Sequence, residues 1–492
     1  MTRKQELFLT VISNLFLQAV TAVCGFILPP LIVGTFGSKT NGMVASITQF
    51  IAYLNLVEAG IGAASIAALY KPLAENNVSK VNGILSATRK FYFRSGLAFS
   101  FGIVLLAFLY SLVIGNQVDR LTSFFMVLVL GISGSAEFFL IGKYRVLLTS
   151  DKKLYVISFL QSAALALNTV VAASLIKLNF GIVAVKLSSS LIYLSRFLVL
   201  YFYVKRNYKG FSFYGEADIK AISQSKNALV HQISGFLVFN SPVIILTVLC
   251  GLKEVSVYSV YALVFCAINN LVGSFSTGIQ SFFGESMVKD SSERFKEFYS
   301  GYETLFFSVL FWLYACAYIL IIPFMTLYAS KMTDAQYIRP ELAALMVVSG
   351  ILTNLRNPGG QLINAAGHFK QTQFRSIAES AVNIASSLVF TLLLGINGVV
   401  IGSICSSFYR GIDVVVYANR HILSRKSIGS FIKILFIAAV FFGISFIFKR
   451  IPFDFSSWSR WIFNAAIVAF LFFIPVAAAC VYLRKKMRKE NV

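Results

Sequence analysis

The chain has 492 residues, is 57% hydrophobic and only 13% charged, and carries 48 Phe and 22 Tyr. A water-soluble core of this size has no use for that balance, which belongs to a membrane protein. The formal net charge of +23 raises nucleic acid as a partner, but the cations sit between apolar runs with no stacking motif, basic helix or zinc spacing, so no nucleic-acid partner is expected. Cys24, Cys250, Cys266, Cys316, Cys405 and Cys480 lie singly in apolar runs and read as small buried residues, not as a disulfide framework or metal clip.

A span needs roughly 20 mainly apolar residues. After Met1-Thr2-Arg3-Lys4 the first such run covers 8–33; it lacks a small-residue cleavage site and reads as a first span, not a cleaved signal. Spans follow at 41–70, 92–114, 121–142, 154–176 and 179–204. Beyond the longest polar stretch, Lys205 to Lys226, come 228–250, 255–284, 298–327, 341–363, 374–394, 396–419, 428–448 and 461–483. Fourteen spans place 28 Lys and Arg on the side of the tails and nine on the other, so the positive-inside rule predicts both termini in the cytoplasm.

The chain also matches itself. An offset of 214 brings Gly37 onto Gly251, Lys39 onto Lys253, Gln18 onto Gln232 and Asn55 onto Asn269; an offset of 217 brings Lys153 onto Lys370, Gly181 onto Gly398, Ser189 onto Ser406 and Ser190 onto Ser407. Six helices per repeat, an even number, predict two parallel copies. The expected architecture is an all-α integral membrane protein of about fourteen transmembrane helices, two six-helix pseudo-symmetric lobes plus a C-terminal helical hairpin. Its predicted limits are an N-lobe over 1–204, a cytoplasmic linker over 205–227, a C-lobe over 228–423, and a hairpin with basic tail over 424–492.

An ionisable group in mid-span costs roughly 2.5 to 3.5 kcal/mol, so each needs a partner, a wet cavity or a snorkelling route. Arg94 and Lys433 lie near span ends and read as snorkelling; Lys143 and Arg145 read as cytoplasmic rim. Glu58, Glu137, Lys186, Arg196, Arg356, Glu379, Arg410 and Asp413 are deeper. Arg410 and Asp413 share a helix face, Arg356 and Glu379 lie at similar depth on consecutive helices, and Glu137 can serve Arg196 or Lys186. The Gly398 to Gly402 spacing reads as close helix packing. His231, His368 and His421 are scattered, and no nucleophile elbow, phosphate loop or metal spacing occurs, so no enzyme is expected.

Local motifs carry a resemblance. Gly37 with Asn41-Gly42 at the second helix, Gln49-Phe50, the run Val57-Glu58-Ala59-Gly60-Ile61-Gly62, and Val255-Ser256-Val257-Tyr258-Ser259-Val260-Tyr261 are similar to the polysaccharide (lipid-linked oligosaccharide) flippase family of the multidrug/oligosaccharidyl-lipid/polysaccharide exporter superfamily. The resemblance implies alternating access around a cavity lined by helices one, two, seven and eight. Members often carry an acid in the seventh helix, where this chain has Asn240-Ser241-Pro242.

The substrate so implied is an undecaprenyl-(pyro)phosphate-linked oligosaccharide or teichoic-acid-type precursor, moved outward across a bacterial plasma membrane. Gln18, Asn55, Gln232 and Asn269 would meet sugar hydroxyls. Glu58 would serve as the cavity's acid, and Arg196 and Arg356 would bind phosphate bidentately. No cofactor is expected, with any drive coming from an ion gradient or the membrane potential; the partners are the bilayer and the pathway's polymerase and glycosyltransferases. A peptidoglycan lipid precursor flippase is one alternative, although an arginine-rich first and second helix is then expected and neither 8–33 nor 41–70 contains an Arg. A drug/cation antiporter, normally of twelve helices, is another.

Overall fold

The computed structural model describes residues 3–58, 60–222, 226–277, 279–289, 291–448, 450–451 and 453–490, and among them there is no strand. The first repeat comprises α1 (Arg3–Phe36), α2 (Ser38–Leu54), α3 (Ile61–Ala74), α4 (Val78–Ile114), α5 (Arg120–Ala136), α6 (Gly142–Ser150), α7 (Leu154–Lys177) and α8 (Ile182–Asn207). The second comprises α9 (Lys226–Leu249), α10 (Leu252–Thr277), α11 (Ile279–Lys289), α12 (Ser292–Tyr328), α13 (Pro340–Leu355), α14 (Asn357–Ala365), α15 (Phe369–Leu394) and α16 (Ile396–Tyr417). Two more helices follow, α17 (Ile428–Phe448) and α18 (Trp458–Glu490).

Among the described residues, twelve helical rods are long and apolar enough to cross a bilayer, and the pair Ser38–Glu58 with Ile61–Ala74, bent by 43°, makes thirteen. The expected span at 341–363 is helical but broken at Arg356 into α13 and α14, neither long enough to cross alone. Pro358 explains the break, since it has no N–H to donate to the Asn354 carbonyl one turn earlier and fits the first turn of a new helix. The chain is an all-α, multi-pass membrane protein.

The repeat is visible in the backbone. Helices α4 and α12 each run 37 residues from starts at Val78 and Ser292, 214 positions apart. Each is capped by a polar side chain, Asn77 accepting from Lys80 N–H and Ser291 from Arg294 N–H. Gly37 and Gly251, also 214 apart, precede α2 and α10 with φ of 83° and 86°, a conformation that glycine adopts without steric cost. The offset of 217 does not persist through the later part. Helix α15 runs two residues longer than α7, and one residue, Gly395, replaces the turn 178–181. Ile182 and Ile396 therefore open α8 and α16 214 apart, so Gly181 corresponds to Gly395 and not to Gly398.

Contacts divide the chain into two units, Met1–Ile233 with Gly251–Ser259, and Ser234–Cys250 with Val260–Val492. The first packs around fully buried Met43, Ile47, Leu69, Phe99 and Met126. Small polar groups stitch its helices: Ser158 Oγ donates to Asn14 Oδ1 at 2.6 Å and Ser190 Oγ to the Val129 carbonyl at 2.7 Å. The polar stretch after α8 lies over the same unit, with Ser212 N–H donating to Asn82 Oδ1 at 2.8 Å and the Arg89 guanidinium 3.9 Å from the Tyr214 ring centre.

The second unit is tightest between α15 and α16. A Cβ on Gly398 would overlap the Phe390 carbonyl and one on Gly402 would overlap Ser387, so this GxxxG spacing does serve close approach. A neutral polar chain crosses three helices: Ser241 Oγ donates to Asn383 Oδ1 at 2.8 Å, and Asn383 Nδ2 to Ser406 Oγ at 2.9 Å. Helix α18 docks on α12 through Trp312, whose indole N–H donates to the Ala469 carbonyl at 2.9 Å.

Candidate functional site

The deep charges form two alternating ladders, one in each unit. In the first, α2 ends in a 3-10 turn, Asn55–Glu58, and Gly60 turns left-handed at φ 80° before α3 begins. Glu58 at the end of that turn accepts from the Tyr92 hydroxyl and from Arg145 Nη2 at 2.7 Å. Arg145 also reaches Glu137 at 3.1 Å, and Glu137 reaches Arg196 at 3.8 Å. Two acids and two bases leave this ladder formally neutral.

Arg145 belongs to this ladder and not to a rim. Between α5 and α6 the helix passes through a π turn, Glu137–Ile141, whose wider loop shifts the facing of every residue after it. The regular periodicity of the sequence gives no sign of that shift. Lys186 makes no ion pair among the described residues.

In the second unit Arg356, at the break between α13 and α14, pairs with Glu379 on α15. Glu379 also meets Arg410 of α16 at 3.4 Å, Arg410 meets Asp413 at 2.7 Å, and Asp413 pairs with Arg375 one turn before Glu379. Arg410 gains Ser376 Oγ at 3.1 Å. The run Arg356, Glu379, Arg410, Asp413, Arg375 starts and ends on arginine and carries one positive charge in excess. Its ends are also its open parts: the Arg356 and Arg375 side chains are 18% and 37% exposed, against 9% for Arg410 in the middle.

Asn269 belongs to a neutral amide cluster whose members Asn354 and Asn357 flank Arg356 in sequence. Its Oδ1 accepts from the Tyr314 hydroxyl at 2.7 Å and from Asn354 Nδ2 at 2.6 Å, while Asn354 Oδ1 accepts from Asn357 Nδ2 at 2.9 Å across the helix break. Asn269 is thus interhelical support beside Arg356. Gln18, Asn55 and Gln232 are exposed and make no side-chain hydrogen bond to described residues. Asn55 opens the turn that Glu58 closes, whereas Gln18 and Gln232 join neither ladder.

A third cluster includes only Lys433 among the residues singled out by sequence. Glu303 of α12, 1% exposed, accepts from Arg425 at 2.8 Å and from Ser430 Oγ at 2.8 Å, with Lys433 at 3.5 Å. Lys433 also donates to the Ser300 hydroxyl and carbonyl, so it is paired inward and does not snorkel. A signal exists, because Glu303 is the lone acid within the expected span 298–327. No group of three or more His, Cys, Asp or Glu side chains that could hold a metal ion occurs among the described residues.

No protein-family model and no curated protein matches this sequence. Solved structures do match. The lipid II flippase MurJ aligns over 98% of this chain and 100% of its own, with a TM-score of 0.64 at 14% identity. A multidrug resistance MATE family transporter of the MOP superfamily aligns over 84% of this chain and 94% of its own, with a TM-score of 0.58 at 14% identity. A MOP superfamily transporter from Pyrococcus furiosus covers 86% and is itself covered over 97%, with a TM-score of 0.54 at 15% identity.

This chain has the MurJ and MATE fold. At such identities the likeness shows the fold alone. Within it, the MurJ alignment reaches nearly the whole chain, while the MATE alignments leave about a sixth uncovered.

Proposed function

We propose that the protein is a flippase that moves an undecaprenyl-(pyro)phosphate-linked oligosaccharide or teichoic-acid-type precursor from the cytoplasmic to the outer face of a bacterial plasma membrane by alternating access. The observation that carries this reading is the uncompensated positive charge of the second ladder. A run of five ionised groups, buried in its middle and ending on two partly open arginines, is costly in a membrane interior. Arginine holds phosphate oxygens through a planar fork of donors, and a diphosphate headgroup supplies the missing negative charge. Arg356, at a helix break and backed by the Asn269, Asn354 and Asn357 amides, is the phosphate contact. Arg196 and Glu58 support the neutral ladder, and Gln18, Asn55 and Gln232 are left to meet sugar hydroxyls.

Arg356→Gln tests this. With purified protein in proteoliposomes and a fluorescent undecaprenyl-diphosphate oligosaccharide, the rate should fall about ten- to hundredfold, as expected for a charge-assisted bond of about 1.5 to 3 kcal/mol. Abundance should hold, because Glu379 keeps Arg410. A variant transporting at the normal rate removes the basis of the proposal.

The full-length alignment with the lipid II flippase MurJ favours a second reading, a peptidoglycan lipid precursor as cargo. Offering both cargoes to the same proteoliposomes separates the two.

A further inference from the structure

The second ladder has two ends, and the proposed function uses one. At the other end Arg375 faces Tyr417, its guanidinium 5.1 Å from the centre of the phenol ring. Tyr417 is 5% exposed, and its hydroxyl is hydrogen-bonded to His368 Nδ1 at 3.1 Å. The ring of His421, in the π turn Ala418–Ile422 that ends α16, lies 4.7 Å from the Tyr417 ring. Both histidines whose side chains are described therefore converge on one phenol beside the most exposed arginine of the ladder. Lys370 and Arg420 stand exposed nearby in the chain, at the start of α15 and in the π turn.

The exposure of Arg375, 37% for its side chain, makes this end more than packing. Asp413 is Arg375's carboxylate, but it is shared with Arg410, and Arg410 is in turn shared with Glu379. An anion bound at Arg356 balances the ladder's one excess charge, leaving Glu379 to Arg410 and Asp413 to Arg375; the far end stands out by its geometry, an arginine open to solvent with two histidines gathered on the phenol beside it. Arg375 has five N–H donors, one carboxylate neighbour and access to solvent.

We infer that Arg375, His368 and His421, arranged around Tyr417, form a second anion subsite that takes a phosphate-type oxyanion. The inference rests on the proposed function in treating Arg356 as the first such subsite. The anion belongs either to the substrate headgroup or to a bilayer phospholipid; the recognising chemistry is the same.

The test is binding of radiolabelled inorganic pyrophosphate to the full-length protein in phosphatidylcholine nanodiscs. Two equivalents are expected for the unaltered protein. Arg375→Lys keeps a cation against Asp413 and so preserves the fold while removing the planar fork, and His421→Gln changes an exposed side chain. Each should weaken one equivalent about tenfold and leave the other, which Arg356→Gln should remove. Repeating the titration in discs containing phosphatidylglycerol identifies the source: loss of the second equivalent there assigns it to phospholipid, and its persistence assigns it to the substrate headgroup, the subsite standing in both cases. A single equivalent, insensitive to Arg375→Lys and His421→Gln, overturns the second subsite. If that result accompanies an Arg356→Gln protein that no longer transports, the proposed function survives. Two equivalents in the unaltered protein, one of them weakened by Arg375→Lys, together with normal transport by Arg356→Gln, keep the second subsite and sink the proposed function.

Discussion

The two ladders share two corresponding positions, in the fourth span and in the last helix of each repeat, but carry different charge. In each repeat the fourth span departs from a regular α-helix partway: α5 passes into a π turn at Glu137 after 17 residues, and α13 breaks at Arg356 after 16. The residue at that point is acidic in one repeat and basic in the other. In each repeat the last helix supplies an arginine at the same place, Arg196 and Arg410 being 214 positions apart. The first ladder closes on itself with two charges of each sign. The second holds three arginines against two acids. One scaffold thus yields a self-compensated site and a site that needs an outside anion.

The largest contrast should come from removing the central acids. Glu379→Ala strands Arg356 and leaves Arg410 with Asp413 alone in a buried setting, so it should destabilise by about 3 to 5 kcal/mol and strip the protein from the membrane fraction. Glu137→Ala leaves Arg145 paired with Glu58 at 2.7 Å and costs Arg196 only its long 3.8 Å contact, and quantitative blotting should show a much smaller loss. Equal losses would break the comparison.

A smaller contrast concerns the amides. Asn269→Ala deprives Tyr314 and Asn354 of their shared acceptor and should cost about 1 to 3 kcal/mol, read as a lower melting temperature in detergent. Asn55→Ala, at the matching position of the first repeat, should stay within about 0.5 kcal/mol. Slower transport by Asn55→Ala at unchanged melting temperature would sharpen its assignment as a sugar contact; a fall in melting temperature as large as that of Asn269→Ala would remove it.

Much of this is legible in the sequence. Apolar runs locate the spans, and the pairs Arg356–Glu379 and Arg410–Asp413 follow from depth and from i, i+3 spacing. What escapes depends on departures from a regular helix. Arg145 lies beyond a π turn and so cannot be placed by counting at 3.6 residues per turn. Arg375 falls at the very edge of the expected span 374–394 and reads as a span end, although α15 begins at Phe369 and sets it one turn from Glu379. Lys433 reads as a helix end because its partner, Glu303, comes from a helix distant in sequence.

The length of α4 and α12 has a practical consequence. At about 1.5 Å per residue, 37 residues extend about 55 Å, well beyond a hydrocarbon layer of about 30 Å. Each helix must therefore carry several rigid turns into water, continuous with turns held in the bilayer. Such a stalk suits a fiducial: a helical fusion or antibody fragment mounted before Asn77 or Ser291 would move with the body of its own unit. Imaging with each mount in turn could then follow each half of the molecule separately through a transport cycle.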